Sequence, residues 1–156
     1  MKTIGWREWL SLPDIGLPAI NAKIDTGAKT SALHAFYVER FTRNRSDFLK
    51  FSMHPIQGCE KTIVHCEAPL FDQRDVTDSG GHKEQRYVIQ TRVVFDQQEW
   101  PIELTLTNRD SMKFRMLLGR EAMKGYLLVD PSASYNFGNI DAQSLYQNHH
   151  QLAASA

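Results

Sequence analysis

Apolar and polar residues alternate with a period of two through much of the chain. Ile20 to Ile24 alternates in this way, as a strand with one buried face does. Tyr87 to Phe95 is rich in β-branched and aromatic residues, and Asp96-Gln97-Gln98 then supplies a turn. After the turn, apolar residues occupy every second position from Trp100 to Leu106. The pattern predicts a β-sheet protein with a strong hairpin in its second half.

Shorter apolar runs predict further strands. These runs are Ser31 to Val38, Phe51 to Met53, Lys61 to Cys66, Phe114 to Leu118 and Tyr126 to Val129. Arg120 to Lys124 is long enough for one helical turn, which Gly125 would close. The polar stretch from Asp72 to Glu84 predicts a loop or a hairpin tip around Ser79-Gly80-Gly81.

Many short strands with one short helix near the C-terminal part favour an all-β domain closed into a barrel. A length of 156 residues predicts a single domain. We assign this domain to residues 1–139. From residue 140 the chain becomes polar and rich in small residues, so we expect residues 140–156 to form a polar C-terminal tail that frays.

Composition argues against several kinds of partner. Lys and Arg number 18 against 18 Asp and Glu, and a net charge of zero gives no support for nucleic-acid binding. No apolar run is long enough to span a bilayer, and the N-terminus is too polar for a signal peptide, so no membrane partner is expected. Cys59 and Cys66 are too few for a disulfide scaffold. We expect a soluble, cytoplasmic protein.

The sharpest chemical motif is Asp25-Thr26-Gly27-Ala28, directly after the predicted strand that ends at Ile24. Asp and Gly are ordinary turn residues, so the motif alone indicates a surface turn between two strands. The surrounding sequence favours a functional role for the motif, because small residues follow it and a second motif, Leu117-Leu118-Gly119-Arg120, lies far downstream.

Together the two motifs resemble the pepsin-like and retroviral aspartic peptidases, in which an Asp-Thr-Gly loop lies beside a strand ending in two apolar residues and a glycine. The wider sequence is more similar to a bacterial retropepsin-like family commonly labelled "ATP-dependent zinc protease". Members of that family are linked to ATP-grasp ligases that add glutamate tails to ribosomal protein. The similar stretches, which extend to about residue 135, are Ile4 to Trp9, Ala22 to Leu33, Leu104 to Asp110, Phe114 to Arg120 and Leu128 to Pro131.

The resemblance implies a closed acid-protease barrel and an aspartic-type peptidase. Such a reaction needs two carboxyl groups close enough to share one proton. The chain has a single Asp-Thr-Gly, so the second carboxyl must come from a second copy, with the two Asp25 side chains meeting on a two-fold axis. Asp25 is then catalytic. In the resembling fold Thr26 hydrogen-bonds across the dimer, while Gly27 and Ala28 leave room for backbone and substrate.

A peptide or protein substrate is also implied, and the resemblance points to a glutamate-tailed ribosomal protein. Cations near the motif would bind acidic side chains through charge-assisted hydrogen bonds. The candidates for substrate binding are Lys29, Arg74, Arg86 and Arg109, with a structural role as the alternative for Arg109. The Ser79-Gly80-Gly81 segment is either a mobile flap over the cleft or an exposed loop without a gating role.

The residues support neither half of the family label. The chain has no His-Glu-x-x-His, and His54, His65, Cys59 and Cys66 lack the paired spacing of a strong zinc site. Gly27-Ala28-Lys29-Thr30 lacks the upstream glycine of a phosphate-binding loop. We therefore predict no metal and no cofactor. Two alternatives stay open, namely a non-catalytic module that binds a peptide or partner on the same barrel, and a metallopeptidase.

Overall fold

The computed structural model describes residues 1–77, 80–108 and 113–147. Within these residues the chain forms twelve strands, which are β1 (Lys2–Ile4), β2 (Arg7–Leu12), β3 (Leu17–Asp25), β4 (Ser31–His34), β5 (Tyr37–Arg43), β6 (Ser46–Met53), β7 (Val64–Pro69), β8 (Asp72–Thr77), β9 (Lys83–Phe95), β10 (Gln98–Thr107), β11 (Met116–Gly119) and β12 (Leu127–Val129). Helical structure consists of a 3₁₀ turn at Pro13–Ile15, the helix α1 (Arg120–Met123) and a helical segment over residues 142–147. We predicted an all-β domain, and the structure confirms a mostly-β architecture. Across these described ranges, no helix has the length and apolar character needed to cross a membrane.

Seven strands form the main sheet, in the order β10-β4-β11-β3-β2-β9-β8. β9 also pairs antiparallel with β10, so the first six strands of that order close into a ring. β8 is the antiparallel partner of β9 beyond the ring. Two pairings, β3 with β11 and β4 with β10, are parallel and join segments that are far apart in sequence. The ring therefore brings the two sequence motifs together. The Asp25 motif begins at the last residue of β3, and the Gly119 motif ends β11.

The long hairpin predicted from the sequence is formed by β9 and β10. Phe95 pairs with Gln98, and the turn residue Asp96 adopts a left-handed φ of 53°. Phe95 and Trp100 stack with 5.9 Å between ring centroids, and Trp100 stacks on Tyr126 at 4.3 Å. The hairpin thus supplies much of the aromatic packing of the core.

One continuous hydrophobic core joins the ring to a smaller sheet. Its fully buried members include Leu12, Leu17, Ile20, Leu33, Ile89, Phe95, Leu104 and Met116. The antiparallel sheet β5-β6-β7 packs on this core through Leu49, Phe51 and Met53 of β6. Each fully buried side chain of this size contributes roughly 1.5–3 kcal/mol of transfer free energy. A separate two-stranded parallel sheet pairs β1 with β12.

The stretch from Ser31 to Val38, predicted as one strand, is divided between two sheets. β4 ends at His34, and β5 begins at Tyr37. The backbone N–H of Ala35 still donates to Thr107 in the ring, whereas the N–H of Phe36 donates to Ser52 in the smaller sheet. The chain therefore changes sheets between two residues, and the composition of the stretch carries no sign of this change.

The beginning of the predicted tail is structured. Residues 142–147 are helical, and Ala142 and Tyr146, one turn apart, are buried against Ile56. The Tyr146 hydroxyl donates a hydrogen bond to the carbonyl oxygen of Ala19. We expected fraying because the segment is polar overall, but two apolar side chains on one helix face are enough to attach it. Residues 148–156 lie outside the described residues.

Candidate active site

Asp25 is the last residue of β3, and the chain turns sharply after it. Its Oδ1 accepts hydrogen bonds from the backbone N–H groups of Gly27, at 3.0 Å, and Ala28, at 3.2 Å. The side chain is partly exposed, and within the described residues both of its hydrogen bonds go to Oδ1. The turn therefore fixes the direction of the carboxylate and leaves Oδ2 available to a reactant.

The turn after Asp25 is held from behind by the start of α1. The backbone N–H of Arg120 donates to the carbonyl oxygen of Ala28 at 2.7 Å. The backbone N–H of Glu121 donates to the carbonyl oxygen of Lys29 at 3.2 Å. The Arg120 guanidinium also donates to the carbonyl oxygen of Thr26 at 3.2 Å. The two sequence motifs thus form one hydrogen-bonded unit.

Gly119 is the strand partner of Asp25 in this unit, because the two residues pair across the parallel strands β3 and β11. A Cβ on Gly119 would lie 2.7 Å from the carbonyl carbon of Thr30 and 3.0 Å from the carbonyl oxygen of Ala28. The Gly119 N–H donates to the buried Ser31 hydroxyl at 2.9 Å. Glycine is required here for close approach rather than for an unusual φ.

A groove of about 1260 Å³ opens beside Asp25. It is lined by Asp25 and residues 27–32 of the turn, residues 74–77 of β8, residues 101–103 of β10 and residues 120–122 of α1. A groove of this size has room for several residues of an extended peptide, and the carboxylate lies at its surface.

Of the residues that follow Asp25, Gly27, Ala28 and Lys29 line the groove, whereas Thr26 does not, and the roles predicted for them stay predictions. Thr26 and Gly27 are exposed, and Ala28 is partly buried under the hydrogen bond from Arg120. Lys29 is exposed and lines the groove. Among the described residues Lys29 makes no ion pair within 4 Å, and it lowers the pKa of Glu103 through space.

Arg74, a predicted substrate-binding residue, lines the groove but is already engaged by two acids. Its Nη1 and Nη2 donate to the two carboxylate oxygens of Glu103, at 2.7 and 3.1 Å, and its Nε donates to Asp72 at 2.7 Å. These bonds hold the pKa values of both carboxyls below their ordinary values and raise that of Arg74. Its charge is thus compensated within the groove wall.

Arg86, a second predicted substrate-binding residue, also lines the groove, with only 7% of its side chain exposed. Its Nε donates to Glu84 at 2.9 Å, and its Nη1 donates to the Thr105 hydroxyl at 3.3 Å. The third arginine, Arg109, lies outside the described residues.

Gly80 and Gly81, of the predicted Ser79-Gly80-Gly81 segment, lie at the end of the β8–β9 hairpin. Pairing runs out to Thr77 and Lys83, and Gly81 has a φ of 82°, which favours glycine. Ser79 falls among the undescribed residues. Because residues 74–77 line the groove, the hairpin occupies the place that a flap requires. Its gating role stays a prediction.

The described residues contain no group of three or more His, Cys, Asp or Glu side chains that could hold a metal ion. Burial raises the pKa of the Cys66 thiol to about 12. Hydrogen bonds from the backbone of Thr62 and Lys61 lower the pKa of the Cys59 thiol.

Several residues that line the groove or hydrogen-bond to its lining residues were not predicted from the sequence. They are Ser31, Glu84, Glu103 and Thr105. Ser31 lies within the stretch that resembles the peptidases, and a small polar residue opening an apolar strand is a weak signal. Glu84, Glu103 and Thr105 carry no local signal, because their roles depend on pairing between distant strands.

Comparison with known proteins finds relatives in sequence and a solved structure with the same fold. Two proteins named probable alpha-L-glutamate ligase, from Parasynechococcus marenigrum and Desulfotalea psychrophila, are 48% and 44% identical to this chain over 142 and 144 residues. The matches cover 91% and 92% of this chain but only 30% and 31% of the ligases. The chain therefore spans less than a third of the length of these relatives.

A solved structure shares the fold. Lpg0085 of Legionella pneumophila, a protein of unknown function, superposes with a TM-score of 0.72 and 24% identity, covering 86% of this chain and 97% of that one. A family model described as retropepsin-like aspartic endopeptidase RimB matches residues 3–138, which include the Asp25 turn, the β8–β9 hairpin and α1. The chain therefore belongs to the RimB-like family of retropepsin-like aspartic endopeptidases.

Proposed function

We propose that this chain is an aspartic-type peptidase that works as a homodimer on a retropepsin-like barrel. The observation that carries the proposal is the Asp25 carboxylate, held by the N–H groups of Gly27 and Ala28 at the surface of a large groove. The family match adds support, because it covers the turn and the strands that form this groove.

A second copy supplies the second carboxyl group. Among the described residues Asp25 forms no hydrogen bond with another acid, although Asp75, Glu103 and Glu121 also line the groove, and Glu103 is engaged by Arg74. The exposed Thr26 and Gly27 leave the face of the turn accessible to its symmetry mate. In a two-fold dimer the two Asp25 side chains share one proton, because two adjacent carboxylates cannot both ionise.

Hydrolysis then proceeds by general acid–base catalysis. The ionised Asp25 takes a proton from water while the water oxygen attacks the scissile carbonyl carbon. The protonated Asp25 of the other copy gives its proton to the carbonyl oxygen. The tetrahedral diol collapses as one hydroxyl proton returns to an Asp25 and the other Asp25 protonates the departing nitrogen, so that the C–N bond breaks and a carboxylic acid and an amine leave.

Glutamate-rich tails are the substrate class that we favour. The relatives named as glutamate ligases are consistent with a partner that makes such tails, and a ribosomal protein is the tail-bearing substrate that we propose. Arg74 and Arg86 are compensated within the protein, and the Arg120 guanidinium donates to the carbonyl oxygen of Thr26. The exposed Lys29 is therefore the groove cation that we expect to meet an acidic side chain first.

The test is a peptidase assay of wild type and Asp25→Asn on a glutamate-tailed peptide and on the same peptide with a glutamine tail. Asp47→Asn, on β6 and outside the groove, is the matched control. We expect pepstatin-sensitive cleavage of the glutamate-tailed peptide, lost in Asp25→Asn and kept in Asp47→Asn, from a protein that sediments as a dimer. Cleavage that survives in Asp25→Asn and disappears with a chelator would indicate a metallopeptidase instead.

The second candidate function is a binding module on the same fold, which the ligase names of the relatives favour. It predicts that wild type and Asp25→Asn bind the glutamate-tailed peptide equally and that neither cleaves it. Binding measured by calorimetry beside the cleavage assay separates the two functions.

A further inference from the structure

A buried arginine joins the hairpin beside the groove to the strand that follows the Asp25 turn. Arg86 lies on β9, where it pairs with Arg74 of β8. Its Nη1 donates to the Thr105 hydroxyl at 3.3 Å. Thr105 is fully buried, and its hydroxyl donates onward to the carbonyl oxygen of Ser31 at 2.9 Å. The Thr105 hydroxyl thus accepts a hydrogen bond from a side chain of β9 and donates one to the backbone of β4.

Ser31 continues the connection to the residue beside Asp25. It is 1% exposed, and its own hydroxyl accepts from the N–H of Gly119 at 2.9 Å. Gly119 is the strand partner of Asp25. The backbone and side chain of Ser31 therefore complete a line of polar contacts from Arg86 to the catalytic turn.

Glu84 fixes the other side of the arginine. Its carboxylate accepts from Arg86 Nε at 2.9 Å and from the Thr107 hydroxyl at 3.0 and 3.1 Å. A guanidinium is planar and rigid, so a bond that fixes Nε also fixes the direction of Nη1. The hairpin strand β9 is thereby tied to the end of β10 and to the contact with Thr105.

Stability alone is a poor reason for this arrangement. Removing a guanidinium from water costs desolvation energy, and well-packed apolar replacements of buried ion pairs are often neutral or stabilising. A satisfied polar network does confer fixed geometry, because each hydrogen bond specifies a direction. The network lies where such geometry matters, between the hairpin and the Asp25 turn.

We propose that Arg86 is a positioning residue, which holds Gly119 and the Asp25 turn in the geometry for hydrolysis through Thr105 and Ser31. The role rests on the proposed peptidase function and differs from the substrate binding predicted for Arg86. It also couples the hairpin to the reacting carboxylate.

Thr105→Val is the sharpest variant, because it keeps the shape of the side chain and removes only the hydroxyl between Arg86 and Ser31. Arg86→Met removes the guanidinium that donates to Thr105. Thr105→Ser keeps the hydroxyl that Thr105→Val removes. The matched control is Arg92→Met, because Arg92 lies on the same strand, forms ion pairs with Asp14 and Glu99, and does not itself line the groove. A displacement of about 1 Å at a catalytic group can cost about 100-fold in rate, so we expect kcat to fall roughly 10- to 100-fold in Thr105→Val and Arg86→Met.

The KM of Thr105→Val should stay within about twofold of wild type, because Thr105 does not line the groove and the side chains that do line it are unchanged. Thr105→Ser and Arg92→Met should retain the wild-type kcat. A folded Thr105→Val protein with wild-type kcat would overturn the positioning role.

A second readout does not depend on activity. In NMR spectra, the backbone amide signals of Gly27, Ala28 and Gly119 should shift in Thr105→Val and stay in place in Arg92→Met. If wild type cleaves no peptide, the proposed function fails, whereas the amide shifts still decide whether Arg86 positions the turn. Unmoved amide signals in Thr105→Val would overturn the inference even if the protein is a peptidase.

Discussion

Gly119 lies directly beside Asp25 across the parallel strands β3 and β11, with no space for a side chain. The atoms that a Cβ would meet belong to the backbone of Thr30 and Ala28, within the segment that follows Asp25. A larger residue would therefore displace the turn itself, since backbone atoms cannot rotate away as a flexible side chain does. The packing of this pair connects the stability of the fold to the geometry of the candidate site.

Gly119→Ala should destabilise the protein and reduce its peptidase activity. Overpacking of this kind costs about 1–3 kcal/mol, so the urea midpoint should fall measurably. The activity of the remaining folded protein should also fall, because the added methyl group pushes against the turn that holds Asp25. A variant with the wild-type midpoint and wild-type activity would contradict the packing described for Gly119.

The sequence predicts most of the fold where the signal is local. The alternation from Ile20 to Ile24 and the β9–β10 hairpin are both present, and the helical turn after Gly119 is α1. β5 (Tyr37–Arg43) carries no such signal, because charged residues occupy both of its faces and none of its side chains is fully buried. The sheet change after His34 and the attachment of Tyr146 also depend on distant partners.

The ion pair between Arg74 and Glu103 should make stability depend on pH. Hydrogen bonds from Arg74 hold the pKa of Glu103 below its ordinary value of 4.5. The stabilisation is therefore fully present above the pKa of the unfolded chain, and it is lost as the pH falls through the lower pKa of the folded protein. Glu103→Gln should be less stable than wild type near neutral pH by at most about 1 kcal/mol, because the pair is partly exposed.

Thermal unfolding of both proteins between pH 7 and pH 3 measures this difference. It should shrink as the pH falls below the ordinary pKa of the glutamate. The control is the same substitution in an Arg74→Met background, which lacks the main hydrogen-bond donor and should show a much smaller change, because only the through-space effect of Lys29 is left to lower the pKa of Glu103. A difference that stays constant with pH in the wild-type background would contradict the linkage.

Tyr146→Phe should weaken the attachment of the helical segment at residues 142–147. The Tyr146 hydroxyl donates to the carbonyl oxygen of Ala19, and burial raises the pKa of this phenol well above its ordinary value. Removing the donor leaves a buried acceptor unpaired, which costs on the order of 1–3 kcal/mol. Urea unfolding measures the loss. Tyr37→Phe, on an exposed side chain, should change stability by less than about 0.5 kcal/mol, and equal effects of the two substitutions would contradict the role of Tyr146.

The candidate site was predictable to the extent that it is continuous in sequence. Asp25, Thr26, Gly27 and Ala28 form one turn, and the second motif is recognisable by its glycine after two apolar residues. The partners of Arg74 and Arg86 were not predictable, because they come from pairing among β8, β9 and β10. Lone arginines in a sequence predict cations in a groove, whereas the folded chain compensates both with carboxylates.

Mixing wild-type and Asp25→Asn chains measures directly whether one catalytic site is built from two copies. The two proteins are unfolded and refolded together in equal amounts, so that subunits combine at random, and cleavage of the glutamate-tailed peptide is compared with that of wild type at the same total concentration. If each site needs one Asp25 from each copy, only wild-type pairs are active, and the rate falls to about one quarter. A rate of about one half would show that each chain acts on its own and would contradict a shared site.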